Sequence, residues 1–201
     1  MLTLAISGTW WTRWFNYNNY DLLKIVSDYQ TRSIPLDVFV LDMDWHTKND
    51  WTGYSWDTRL FPYPADTMAS LKVGPHLCDY ICICADGDLV LCSVFGESDD
   101  SLSCTAQALG LHMAANIHDA DGVGSWETAY TAMAEAVGIN PASQQTVPFN
   151  LANSTWAYAL EDLVLKPVLD QGMDFWWIDW QQGGQMAGLT GDKQNPTIWY
   201  V

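Results

Sequence analysis

The sequence is poor in positive charge. Lysine and arginine together number 8 against 24 aspartates and glutamates, a formal net charge of −16. That balance argues against binding nucleic acid phosphates or an anionic membrane surface, and it suits a neutral, polyhydroxylated substrate better than an anionic one. No run is long and apolar enough to span a bilayer. The opening "MLTLAISGTWW" has no basic residues ahead of its short apolar run, so it reads as a strand and not as a signal peptide. There is no glycine-rich phosphate loop to support nucleotide binding. Cysteine is missing from most of the chain: Cys78, Cys82, Cys84, Cys92 and Cys104 crowd one segment. An odd count in one place is a poor disulfide framework. The spacing C-x3-C-x-C lacks both the usual zinc knuckle and its second pair. His46 has no second ligand at a useful spacing, so no metal and no cofactor are expected.

What the chain does have is tryptophan, 12 in 201 residues. Flat aromatic faces pack against sugar C–H faces, but they also fill cores. The length allows one domain with a real core.

Strand-like and helix-like runs alternate. Leu2–Ile6 reads as a strand, followed by an aromatic loop, "GTWWTRWFNYNN". A helix fits Tyr20–Gln30, with Leu22, Ile25, Val26 and Tyr29 at helical spacing and Asn18 or Asn19 as cap. Leu36–Trp45, "LDVFVLDMDW", is apolar almost to its end, as a strand buried on both faces should be. A short helix follows at Ala65–Lys72, then a third strand at Leu111–His118. Ser125 caps a helix running to Val137, where Gly138 stops it. Another helix fits Thr155–Leu165, ending before Pro167. Asp174–Trp180 makes a fourth strand, and "NPTIWYV" reads as the first turn of a further helix.

This order implies parallel strands with crossover helices. Polar and acidic residues gather just after the strands: Trp10–Arg13, Asp42–His46, His118–Asp121 and Asp179–Gln182. In a (β/α)8 barrel such loops share one face, and catalysis sits there. A doubly wound sheet is the alternative architecture.

Four blocks then become familiar. "PLDVFVLDMDWH", "WTGYSWDTRLFP", "NIHDADGV" and "DFWWIDWQQG" together resemble glycoside hydrolase family 31. These are retaining enzymes on a TIM barrel, chiefly α-glucosidases and α-xylosidases. The resemblance covers roughly residues 1–72 and 108–200. It implies a carbohydrate substrate and makes Asp179, in "WIDW", the catalytic nucleophile. Attack on an anomeric carbon needs an ionised carboxylate beneath the sugar ring, with a second carboxyl group about 5 Å away as general acid and then base. Asp42 and Asp44 match the family's acid pair on strand two, Asp42 being the better match for binding sugar hydroxyls. Period-two alternation would put both on one side of the strand. Asp44 is as readily a structural partner of Arg13 or Arg59. His118 falls where the family lines its pocket, though it is equally readable as a satisfied structural histidine. Trp45 and Trp177, with Trp10 and Trp11, are candidate sugar platforms, although core packing is the commoner fate of any one tryptophan.

Two features depart from that pattern. Residues 73–107 form a cysteine-rich insertion, and deleting them joins "DTMASLK" to "ALGLHMAANIHDADGV". Valine codons begin GT and glutamine is encodable as CAG, the borders of an intron, so this segment reads as an in-frame unspliced intron. A genuine inserted loop is the alternative. The chain also reaches Val201 without an acid in the family's acid/base motif. About four of eight strands, the N-terminal half of a barrel, are therefore expected. Such a half would be catalytically inactive alone and prone to aggregate through its open edges. A non-catalytic carbohydrate-binding or degenerate relative is the second functional reading.

Overall fold

The computed structural model describes residues 7–47, 51–73 and 110–179. The expected strand Leu2–Ile6, the tail after Asp179 with its "NPTIWYV" turn, and all of the insertion except Val73 lie outside the described residues.

Four parallel strands form one sheet in the order β1-β2-β3-β4. They are Trp10–Arg13, Val38–Leu41, His112–Ile117 and Phe175–Ile178. Between them run α1 (Asn19–Thr31), α2 (Pro64–Val73), α3 (Tyr130–Ala136) and α4 (Ser154–Ala159). The helix that begins as α4 widens into a π turn at Leu160–Leu165 and ends as α5 (Lys166–Leu169).

A strand order that follows the chain, with every crossover parallel, is the winding of a barrel and not of a doubly wound sheet. Packing agrees. Phe39, Leu41, Met113, Ala115 and Ile117 pack with Leu22, Val26, Met68, Met133 and Trp156 from the helices in one large core. The alternate positions Val38, Val40 and Ala114 form a separate small cluster with Phe175 and Trp177. Strand periodicity of two sorts these sets onto opposite faces. Helices thus cover one face, and the other is lined by its own apolar layer. Strands sit about 4.8 Å apart, so a flat sheet would separate β1 from β4 by about 14 Å. Yet the rings of Trp10 and Phe175 meet at 5.6 Å between centroids. The sheet is curled, with that second face concave.

β1 is Trp10–Arg13, inside the stretch that reads as a loop, because an edge strand with three of four residues exposed shows no apolar signal. β2 matches its reading but ends at Leu41; Met43–Trp45 turn into a 3-10 helix capped by the Asp42 side chain. α1 begins with a capping box, Asn18 accepting from the Asp21 N–H and Asp21 from the Asn18 N–H. α3 is shorter than the expected Ser125–Val137. Its entry is instead a pair of turns, the Glu127 N–H donating to the Gly124 carbonyl and the Tyr130 N–H to the Glu127 carbonyl, while the Thr128 N–H donates to Ser55 Oγ at 2.8 Å. The last helix continues through Pro167 where it was expected to stop. The π turn preceding it relieves the clash between the proline ring and the preceding turn.

Two acids stitch the start of the strands. Asp37 accepts the Thr9 N–H at 2.7 Å, and its own N–H donates to the Thr9 carbonyl at 2.9 Å. Asp174 does the same one layer on, accepting the Met113 N–H at 2.7 Å and donating to the Met113 carbonyl at 2.8 Å. Lys72 neutralises it at 2.8 Å.

Candidate active site

Acids at the other end of the strands have a different environment. Asp42 follows β2 in extended conformation, His118 and Asp119 follow β3, and Asp179 follows β4. The register pairs Val40 with Ala114 and Asn116 with Trp177. Two residues further on, the same alternation carries Asp42, Asn116, His118 and Asp179 onto the concave face.

Asp179 is the open member, its side chain 45% exposed. Its N–H donates to the Ile117 carbonyl at 3.3 Å, which fixes the backbone. The Asn116 amide nitrogen approaches Oδ2 at 3.4 Å, and His118 Nε2 lies 3.7 Å from the same oxygen. Burial pushes the His118 pKa below the ordinary histidine value, against the pull of Asp179, Asp42 and Asp121. At neutral pH the ring is therefore mostly uncharged. Burial, helped by the negative charge of Asp179, raises the Asp42 carboxyl above the usual carboxylate range, against the opposing Met43 N–H at 2.8 Å. Asp42 and Asp179 are thus close enough to feel one another.

Asp42 and Asp44 do not alternate along one strand, because the chain turns at Met43. The turn still brings both to a single shallow cleft with Phe15, Tyr17, Leu41 and Phe61. Neither candidate arginine partners Asp44: Arg59 forks onto Asp57 at 3.0 and 2.6 Å, and Arg13 lies over the Phe15 ring.

Trp45 is only 1% exposed and forms the buried back wall of that cleft. Its indole N–H donates to the Asn116 carbonyl at 3.0 Å, and its ring packs edge-on to Trp56. The position expected as a sugar platform is a core residue that ties the β2 loop to β3. Trp177 is half-buried on the concave face, two residues below Asp179.

The loop at 51–57 closes over this end of β3. Trp51 stacks on the His118 ring, 4.7 Å between centroids, and the Tyr54 hydroxyl donates to the fully buried Asp119 at 2.9 Å. Gly53 allows the approach: a Cβ there would lie 2.1 Å from His46 Nδ1. Sequence reasoning missed Asn116, whose signal was its place two residues before His118 in "NIHDADG". It also missed Tyr54, Trp51 and Glu127. Among the described residues no cluster of His, Cys, Asp and Glu forms a metal site.

Curled parallel sheet, helices on the convex face and acids gathered beyond the strands' C-terminal ends define part of a β/α barrel. The sequence carries it to a family. Residues 1–198 match the model of the glycosyl hydrolases family 31 TIM-barrel domain, and the chain belongs to that family. It is 33% identical over 71 residues to an α-xylosidase of Saccharolobus solfataricus, covering 35% of this chain and 10% of that protein. It is 37% identical over 66 residues to α-xylosidase XylQ of Lactiplantibacillus pentosus, covering 32% and 9%. A solved xylosidase from Aspergillus niger superposes with a TM-score of 0.51 at 17% identity, over 96% of this chain and 23% of that one. The matches thus span about a tenth of the curated relatives and under a quarter of the solved one.

Proposed function

We propose that this chain carries the nucleophile-bearing half of a retaining α-glycosidase acting on α-xylosides or α-glucosides. In that reading Asp179 attacks the anomeric carbon through Oδ1, the oxygen other than the one Asn116 and His118 approach. The C–O bond to the leaving group breaks, and the leaving oxygen takes a proton from a second carboxyl group. A glycosyl ester on Asp179 results. Water, deprotonated by the same second group, then releases the sugar with its configuration retained. Asn116 donates to Oδ2 and His118 lies beside the same oxygen, which orients the carboxylate. Asp42 accepts hydrogen bonds from sugar hydroxyls, and Trp177 and Asp44 border the subsite.

The observation that carries the reading is the open Asp179 carboxylate at the end of β4, oriented by Asn116 beside a largely neutral His118. The second carboxyl group is expected on a strand loop beyond the four described. The chain alone is therefore expected to hydrolyse no p-nitrophenyl α-xyloside or α-glucoside. In a version joined to a complete barrel, a 5-fluoro glycosyl fluoride should label Asp179, read by peptide mass spectrometry. A label on any other carboxylate would overturn the assignment.

A further inference from the structure

Glu127 is a carboxylate with no part in the chemistry above, yet it is only 5% exposed. Taking such a group out of water is costly unless donors replace the water. Four do. The Ser55 hydroxyl donates to Oε2 at 2.6 Å, the Tyr54 N–H to the same oxygen at 3.2 Å, and the Ser55 N–H and the Trp126 side chain also hydrogen-bond the carboxylate. Ser55 Oγ in turn accepts the Thr128 N–H at 2.8 Å. The partners come from two segments that are far apart in sequence: the loop after β2 and the turn that enters α3.

What hangs from this knot reaches the site. Tyr54 puts its hydroxyl on Asp119, and Trp51 lies over His118. Thr52, in the same loop, lines a cavity of about 130 Å³ with Asp121, Gly122, Gly124, Thr146 and Trp126. We propose that Glu127 is a positioning residue: it clamps the 51–57 loop and the Trp126 side chain so that Trp51 covers His118 and Tyr54 holds Asp119. Its relevance to turnover rests on the glycosidase reading, but the clamp itself does not, and the test below reads the clamp without turnover.

The full chain suffices. His118 is followed by NMR, its imidazole signal assigned through H118N. Burial is what holds its protonation midpoint down, and the charged groups facing it are Asp42 at the end of β2, Asp179 at the end of β4 and Asp121 in its own loop. If Glu127 clamps the loop, E127A exposes the ring and moves that midpoint up by about half a unit or more, into or above the ordinary histidine range. E127Q keeps an oxygen for Ser55 and Tyr54 and should leave it near the wild-type value. Trp51 emission, isolated as the difference from W51F, should shift to the red in E127A alone. A folded E127A with an unmoved His118 midpoint and unmoved Trp51 emission overturns the proposal. Should E127A fail to fold, S55A decides: it breaks the link from Glu127 to Thr128 while leaving the carboxylate, and an unmoved midpoint there overturns the proposal equally. Failure of Asp179 to accept a fluoro-sugar label, with these shifts present, would sink the glycosidase reading and leave the clamp.

Discussion

The side-chain amide of Asn116 reaches Asp179 from the neighbouring strand, 3.4 Å from Nδ2 to Oδ2, while its backbone carbonyl accepts the Trp45 indole N–H. One residue therefore couples the core tryptophan to the Asp179 carboxylate. Its Oδ1 is buried without a partner among the described residues, so only the nitrogen end is committed. N116A should lower the labelling rate of Asp179 in a complete barrel by about tenfold, the scale of one hydrogen bond to a charged group. N116D should do worse, because a second carboxylate beside the first opposes its ionisation. Time-resolved mass spectrometry of the labelled peptide reads both.

Stability should depend on pH through three groups with displaced pKa values. His118 is lowered, so the unfolded chain takes up its proton first as pH falls below about 6.5, and stability drops from there until the folded midpoint is passed. Asp42 and Glu127 are raised by burial, so the unfolded chain releases their protons first as pH rises. Stability then drops from the ordinary carboxylate range up to their raised midpoints and levels off above. Each unit of displacement corresponds to about 1.4 kcal/mol. Urea unfolding from pH 4 to 8, wild type against H118N, D42N and E127Q, should show each group's share of the slope vanish with that group.

Acids at the two strand ends should separate stability from chemistry. D37A and D174A each strand backbone N–H groups at the strand starts and should cost about 1–3 kcal/mol by thermal unfolding. D179A removes an open carboxylate and should cost little stability, while abolishing the fluoro-sugar label in the complete barrel. Equal destabilisation by D179A would mean that Asp179 is another stitch.

Gly53 should tolerate no side chain. G53A drives a methyl group into the His46 ring and should displace the 51–57 loop, moving the His118 titration in the same direction as loss of Glu127. W45F should cost about 1–3 kcal/mol, through the lost indole N–H bond to Asn116 and the smaller ring, without changing which carboxylate is labelled.

Much of this was legible in advance where local rules decide. The unbroken apolar run of β2, the spacing of α1 and its asparagine cap all state their own structure. β1 did not, since two adjacent tryptophans followed by two polar residues show no strand alternation, and three of the four are exposed. The fastening of the α3 entry could not be read at all: the hydroxyl that accepts the Thr128 N–H belongs to Ser55, 73 positions earlier. For the site, Asp42, His118 and Asp179 stood out because acids and histidines at strand ends are conspicuous. Asn116, Tyr54 and Glu127 were silent, because an amide, a phenol and a helix-entry glutamate gain meaning only from what folding brings beside them. Trp45 erred the other way, conspicuous by type and ordinary by position.

The lashing of the strands at one rim, through Asp37 and Asp174, has a consequence for how such a chain can change over time. Mutations that reshape the opposite rim leave those knots tied, so side chains there can vary without unravelling the scaffold. Drift at the knotted rim enjoys no such freedom.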